Sequence, residues 1–236
     1  MAEIDAAGRT TREINAELRR LIGEGQERIT IRNPGAKHNL GVAILQPVHI
    51  RLDGSAGYYC GGLMDGATIE IAGSAGWGVA ESMLNGFVRV EGSAGSGAAA
   101  SIRGGTVVIE GDAAARLGIS MKGGLVIVTG NCGCMAGFMA QKGTLIVCGD
   151  AGEAFADSMY ATVCYVGGRI ENLGNDAALA SMDAEDIRSL ESALSANLSA
   201  ESRAALPPAN AFQKVVAGRK LWNFDKREWR VWQEAL

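Results

Sequence analysis

Apolar and polar positions along the chain hold one phase for most of its length. Glycine recurs every 19 residues at Gly35, Gly54, Gly73, Gly92, Gly111, Gly130, Gly149 and Gly168. Four residues before it stand Ile50, Ile69, Val88, Val107, Val126, Leu145 and Cys164. Two residues before it stand Leu52, Ile71, Val90, Ile109, Val128, Val147 and Val166. Apolar residues two apart, rich in β-branched side chains, predict a short strand with one buried face. Ten residues after the glycine comes a second apolar column, Met64, Met83, Ile102, Met121, Ala140 and Met159. Methionine is unbranched and adaptable, which suits stacking in a narrow core. Seven after it, only small residues occur: Gly61, Ala80, Ala99, Gly118, Gly137 and Ala156.

Nineteen residues are too few for a strand, a full helix and two loops. They suit two or three short strands joined by tight corners, with glycines such as Gly111 and Gly130 supplying positive φ and close backbone approach. Like positions of successive coils then stack as parallel neighbours at ~4.8 Å. The fold class this predicts is all-β, a parallel β-helix of 19-residue coils, right-handed by the crossover rule. Glycine is 33 of 236 residues. At that frequency seven further hits at one step arise by chance on the order of once per million starting positions, which rules out a merely glycine-rich linker.

Both flanks leave the period. Thr10 and Glu13 make a capping-box pair ahead of an apolar stripe, Ile14, Leu18, Leu21 and Ile22, so residues 10–22 read as a helix. The glycine repeat ends at 168. Asp183 and Asp186 precede Ile187, Leu190 and Leu194, a second capped amphipathic helix, and Ser199 opens a short third one ahead of Pro207-Pro208. The division expected is an N-terminal helical cap over 1–27, the β-helix over 28–170, and a helical segment with a Trp/Arg-rich tail over 171–236.

One column changes character along the chain. Three residues before the glycine stand Arg32, Arg51, Glu70 and Arg89, then Val108, Ile127, Ile146 and Tyr165. With −4 and −2 pointing inward, −3 points out. A contiguous apolar stripe there marks a contact surface, filled either by a partner or by a terminal helix of the same chain. The tail holds three of the four tryptophans, Trp222, Trp229 and Trp232, with Arg219, Phe224 and several further basic residues. Trp and Arg are enriched at interface hot spots. The tail fits either a partner interface or a fold-back on its own column. The candidate interface is therefore Val108, Ile127, Ile146, Tyr165, Arg219, Trp222, Phe224, Trp229 and Trp232.

Composition narrows the classes. Net charge is −4, so the electrostatic footprint of a nucleic-acid binder is missing. No run of eighteen apolar residues occurs, and the polar N-terminus does not resemble a secretory signal, which together point to a cytoplasmic chain without a membrane partner. The five cysteines are Cys60, Cys132, Cys134, Cys148 and Cys164. An odd count without a signal argues against a disulfide framework. Cys132-Gly133-Cys134 with Cys148 has the donors for a metal or cluster, but the competing reading, small core residues, is favoured by the column phase of Cys164. His38 and His49 assemble no catalytic triad, and the Gly73–Gly78 stretch recurs in register at Gly92–Gly97, which makes it a corner rather than a phosphate loop. No catalytic, cofactor-binding or metal-ligating residue is assigned.

The coil Gly130-Asn131-Cys132-Gly133-Cys134-Met135-Ala136-Gly137 resembles the GXGXG domain family. Such a domain closes the large subunit of glutamate synthase as a right-handed β-helix, and a similar one forms one of the subunits of formylmethanofuran dehydrogenase. The segment Gly218-Arg219-Lys220-Leu221-Trp222-Asn223-Phe224 is similar to the C-terminus of stand-alone GXGXG subunits of glutamate-synthase-like complexes. This resemblance implies a non-catalytic assembly subunit in a hetero-oligomer. Its partners would be a class II glutamine amidotransferase-like subunit and an FMN-binding glutamate synthase-like subunit that also carries an iron–sulfur cluster. Within that branch the N-methylglutamate synthase reaction is implied, glutamate and methylamine giving N-methylglutamate and ammonia. The alternative is a subunit of a formylmethanofuran dehydrogenase or formyltransferase–hydrolase complex.

Overall fold

The computed structural model describes residues 2–219. Its centre is a β-solenoid in which each coil contributes one strand to a single sheet. β1 (Ala2–Asp5) is followed by α1 (Thr11–Gly23), then β2 (Arg28–Arg32), β3 (His49–Asp53), β4 (Asp65–Ile71), β5 (Asn85–Val90), β6 (Thr106–Ile109), β7 (Lys122–Val128), β8 (Lys142–Val147) and β9 (Val163–Val166). β1 to β9 pair in parallel in chain order. From β3 to β9 the inward residues keep a 19-residue offset: Ile50, Ile69, Val88, Val107, Val126, Leu145 and Cys164 are successive partners, and all are fully buried. The methionine-rich column is buried too, from Met64 to Met159.

The other walls of the coil differ from the two or three strands expected. The wall after the glycine has one pairing residue per coil, a column of single bridges through Ala56, Ala75, Ala94, Ala113, Cys132, Ala151 and Ile170. The wall beyond it is not extended. Residues five, seven and nine after the glycine take left-handed φ, as at Tyr59, Gly61 and Leu63, or Arg116, Gly118 and Ser120. In the first of these coils the N–H groups of Tyr59 and Leu63 donate to Trp77 and Glu81 of the next coil, whereas that of Gly61 donates to Leu40 of the previous one. The wall therefore satisfies its backbone without strand geometry. Left-handed φ strains a bulky residue, and each coil from Gly61 to Ala156 places Ala or Gly at the buried middle position.

Of the two jobs expected of the periodic glycines, Gly111 and Gly130 do only one. Gly111 and Gly130 do not have positive φ. They are needed for close approach: a Cβ on Gly111 would lie 2.6 Å from Ser93 Oγ, and one on Gly130 would lie 2.8 Å from the Gly111 carbonyl oxygen. The crowding comes from a polar column one residue further on. Ser55 Oγ accepts the Ser74 N–H, Ser74 Oγ that of Ser93, Ser93 Oγ that of Asp112, Asp112 Oδ1 that of Asn131, Asn131 Oδ1 that of Asp150, and Asp150 Oδ1 that of Arg169. A side chain bonding upward at each step leaves no room for a Cβ above it.

The two ends close differently. α1 has the capping box read from Thr10 and Glu13, and buries Ile14, Leu18 and Leu21 against the first coils. β1 adds a parallel strand outside β2, with Ile4 buried, so the first 27 residues hold a strand as well as the helix. At the other end the coil outlasts the glycine repeat, since Ile170 and Leu173 still bridge to Ala151 and Phe155. β10 (Ala177–Ala180), α2 (Ala184–Asn197), α3 (Ala200–Ala204), a 3₁₀ turn (Ala209–Ala211) and β11 (Gln213–Ala217) follow. β11 returns antiparallel against β9, and β10 lies outside it as the last strand of the sheet.

Candidate functional site

The outward column of the sheet is the natural place to look for a contact surface. In β6 to β9 it is Val108, Ile127, Ile146 and Tyr165, and all four are buried. They pack into a second apolar cluster with Leu190, Leu194, Leu198, Ala209 and Phe212. The stripe is thus covered by α2 and the residues behind it, and is not a free partner surface. The helical spacing of Leu190 and Leu194 places both on the face α2 turns to the sheet.

One polar cluster holds α2 in place. Asp183 caps its N-terminus by accepting from the backbone of Glu185 and Asp186, and the Asp183 N–H donates to Asp186 Oδ2. Asp186 also accepts the Tyr165 hydroxyl at 2.8 Å and the Lys214 ammonium at 2.7 Å. These donors, led by the backbone N–H, hold its carboxyl down to about 2. Tyr165 is pushed well above its ordinary range, chiefly by burial and then by the neighbouring Asp186. The cluster joins α2, β9 and β11, with Asp186 paired to Lys214 and Asp183 held by backbone N–H groups.

In β2 to β5 the same column is charged and open. Arg32 pairs with Glu3 at 2.9 Å. Arg51 reaches Asp53, Glu70 and Glu91 at 3.2, 3.5 and 3.0 Å, and the Glu91 bond with the surrounding carboxylates raises its pKa. His49 Nε2 lies 3.4 Å from Glu70. Arg89 marks the border. It pairs with Glu110, lies over the Phe87 ring, and donates at 2.6 Å to the carbonyl of Asn197, the last residue of α2. A guanidinium there also complements the negative end of the helix dipole.

The cysteines separate. Cys132 is buried in the bridge column, Cys134 is exposed, Cys148 lies under α2 and Cys164 sits in the central core. Burial raises the thiols of Cys60, Cys132 and Cys148 to about 12, which keeps them protonated. Among the described residues no group of three His, Cys, Asp or Glu side chains is placed to hold a metal ion. Of the tail candidates, Arg219 is described and exposed, with left-handed φ; Trp222, Phe224, Trp229 and Trp232 lie outside the described residues.

The sequence reading did not include one surface feature. His38, Tyr58 and Trp77 form a stacked row, with ring centroids 4.3 and 5.3 Å apart. His38 Nδ1 accepts the Tyr58 N–H at 2.8 Å. The rings ride on glycines of the following coil: a Cβ on Gly76 would meet Tyr58, and one on Gly95 would meet Trp77, each at 2.6 Å. Tyr59 and Leu63 stand beside the row and line a 220 Å³ cleft with Asn39, Val42 and Glu81. All five side chains, His38, Tyr58, Tyr59, Leu63 and Trp77, are exposed. The signal was available as aromatic residues at 19-residue spacing, 58 and 77.

Comparison with known proteins agrees with this architecture. A family model described as "GXGXG motif" matches residues 20–201. Over 70 residues the chain is 41% identical to "Protein GlxC" of Rhizobium meliloti (strain 1021), a stretch that makes up 29% of this chain and 31% of that protein. The match therefore spans about a third of the relative's length. With the family match running through the solenoid and into α3, the chain belongs to the GXGXG motif family.

Proposed function

We propose that this chain is a non-catalytic assembly subunit of a glutamate-synthase-like complex, and that the complex is an N-methylglutamate synthase. The observation that carries the reading is the family match over residues 20–201 on an uninterrupted solenoid. Its inward columns are spent on stacking, its polar column on cross-coil bonds, and its outward charges on internal pairs. Such a body is stiff and presents flat walls, which suits holding two catalytic subunits in fixed relation. The partners are a class II amidotransferase-like subunit and a subunit carrying FMN and an iron–sulfur cluster. The exposed row His38, Tyr58 and Trp77, with Tyr59 and Leu63, supports a partner contact on the left-handed wall, because large aromatic side chains anchor interfaces.

Co-expression with both partner subunits tests the proposal. A tagged chain is expected to retain both, and the assembled complex to form N-methylglutamate from glutamate and methylamine, with activity falling when this chain is omitted. Trp77→Ala with Tyr59→Ala is expected to weaken retention without changing the melting temperature. Partners that assemble and turn over equally well without this chain would overturn the reading.

A further inference from the structure

The two outermost strands of the sheet differ in charge, and among the described residues neither has a further strand paired outside it. β10 reads Ala177-Ala178-Leu179-Ala180, with no charge and no proline, and Leu179 is 59% exposed. An edge of this composition lacks the charged side chains and proline that commonly blunt pairing with another chain. β1, at the opposite end, reads Ala-Glu-Ile-Asp, with Glu3 and Asp5 both exposed.

The register shows which backbone groups of β10 face outward. Its partners on β11 are Ala177↔Ala217, Ala178↔Val216, Leu179↔Val215 and Ala180↔Lys214. The Gly218 N–H donates to the Asp176 carbonyl at 2.6 Å, so the bonded pairs of this antiparallel ladder fall on even residues of β10. The Ala177 N–H turns instead to Gly174, as an odd position should. Leu179 is then a non-bonded position against β11, and its N–H and C=O point away from the sheet, together with the Ala177 C=O. Groups in that arrangement are met by an extended strand.

We propose that β10 pairs antiparallel with β10 of a second copy of this chain, about a two-fold axis at Leu179. There the Leu179 N–H of each copy donates to the Leu179 C=O of the other, and the Ser181 N–H of each donates to the Ala177 C=O of the other. The occupant follows from charge. Self-pairing of β10 brings no like charges together, whereas self-pairing of β1 about Ile4 would set Glu3 against Asp5 of the other copy, which is destabilising. An isologous contact of this kind closes at two copies, leaves the aromatic wall free, and joins two solenoids end to end. The proposal is independent of the identity of the catalytic partners.

The test is sedimentation equilibrium of the full chain over a concentration series, with Leu179→Lys and Leu179→Cys/Cys134→Ser as variants. The wild-type chain is expected to approach twice 24.5 kDa. Leu179→Lys places two ammonium groups opposite each other and is expected to weaken dimerisation at least ~10-fold at an unchanged melting temperature. Leu179→Cys/Cys134→Ser is expected to give a covalent dimer on oxidation that reductant reverses, since paired antiparallel Cα atoms lie within disulfide reach. A full chain that stays monomeric throughout, or a dimer that Leu179→Lys leaves intact, overturns the proposal. So does a monomeric chain whose Leu179→Lys variant loses a catalytic partner, because the edge then belongs to that partner.

Discussion

From β2 to β5 the outward column reads Arg32, Arg51, Glu70 and Arg89; from β6 to β9 it reads Val108, Ile127, Ile146 and Tyr165. The backbone beneath is continuous, with the same parallel pairing and the same kind of inward residues in both halves. One half faces solvent through a web of ion pairs, and the other lies under α2. Stacking the coils therefore does not require either surface. The inward columns specify the solenoid, and the outward column specifies what else of the chain lies on it. Arg89 sits at the seam and serves both, pairing with Glu110 on the open side and with the end of α2 on the covered side.

The comparison breaks most sharply at Ile127. Ile127→Asp puts an unpaired carboxylate beneath α2 and should cost about 3–5 kcal/mol or prevent folding, as measured by urea denaturation. The matching change in the open half, Glu70→Ile, should stay within ~1 kcal/mol. Equal effects at the two sites would mean that α2 does not shield the apolar half. Removing the cover from the other side, Leu190→Ala, should cost about 2–4 kcal/mol. Its loss should appear first as faster amide exchange in α2, with β3 to β5 unaffected.

The glycine column is shared by both halves and provides the control. Gly111→Val should destabilise by about 1–3 kcal/mol through overpacking against Ser93 and Gly92, and Gly73→Val by a similar amount against Ser55. A large difference between them would show that the halves differ inside as well as outside. A smaller effect belongs to pH. Asp186 is held down to about 2 from its ordinary 3.8, so its stabilising contribution is complete above about pH 4. It is lost as pH falls toward 2. In Asp186→Asn the acid limb of the α2 signal, followed by circular dichroism, should flatten. The smallest change expected is Arg51→Ala, within ~1 kcal/mol, because its pairs are partly solvated.

Much of this architecture was legible because it repeats. The phase of Ile50, Leu52 and Met64 and of their equivalents settles the inward columns, and Thr10 with Glu13 and Asp183 with Asp186 announce the helix starts through short-range capping chemistry. What was not legible depends on contacts between distant segments or on backbone conformations without a strong residue preference. Left-handed φ at Tyr59, Leu63, Arg116 and Met135 has no glycine to announce it, so that wall read as further strands. Gly111 and Gly130 look like corner residues by type, yet the reason for them lies in the Ser93 and Asp112 side chains one coil away. For the candidate interface, an apolar outward stripe is the same signal whether a partner or the chain's own α2 covers it. β1 and the β10–β11 pair lie outside the period and left no phase to read.

The constant 19-residue register has a consequence for evolution by duplication. Each strand from β3 to β9 pairs only with its neighbours, so inserting or deleting one whole unit preserves the strand register on either side. The eight steps from β1 to β9 make a body about 38 Å long, and its length can change only in increments of ~4.8 Å. A lineage that lost or gained a coil would shift whatever binds the two ends by one such increment, with the folding code untouched. The chain is in this sense a ruler with discrete graduations.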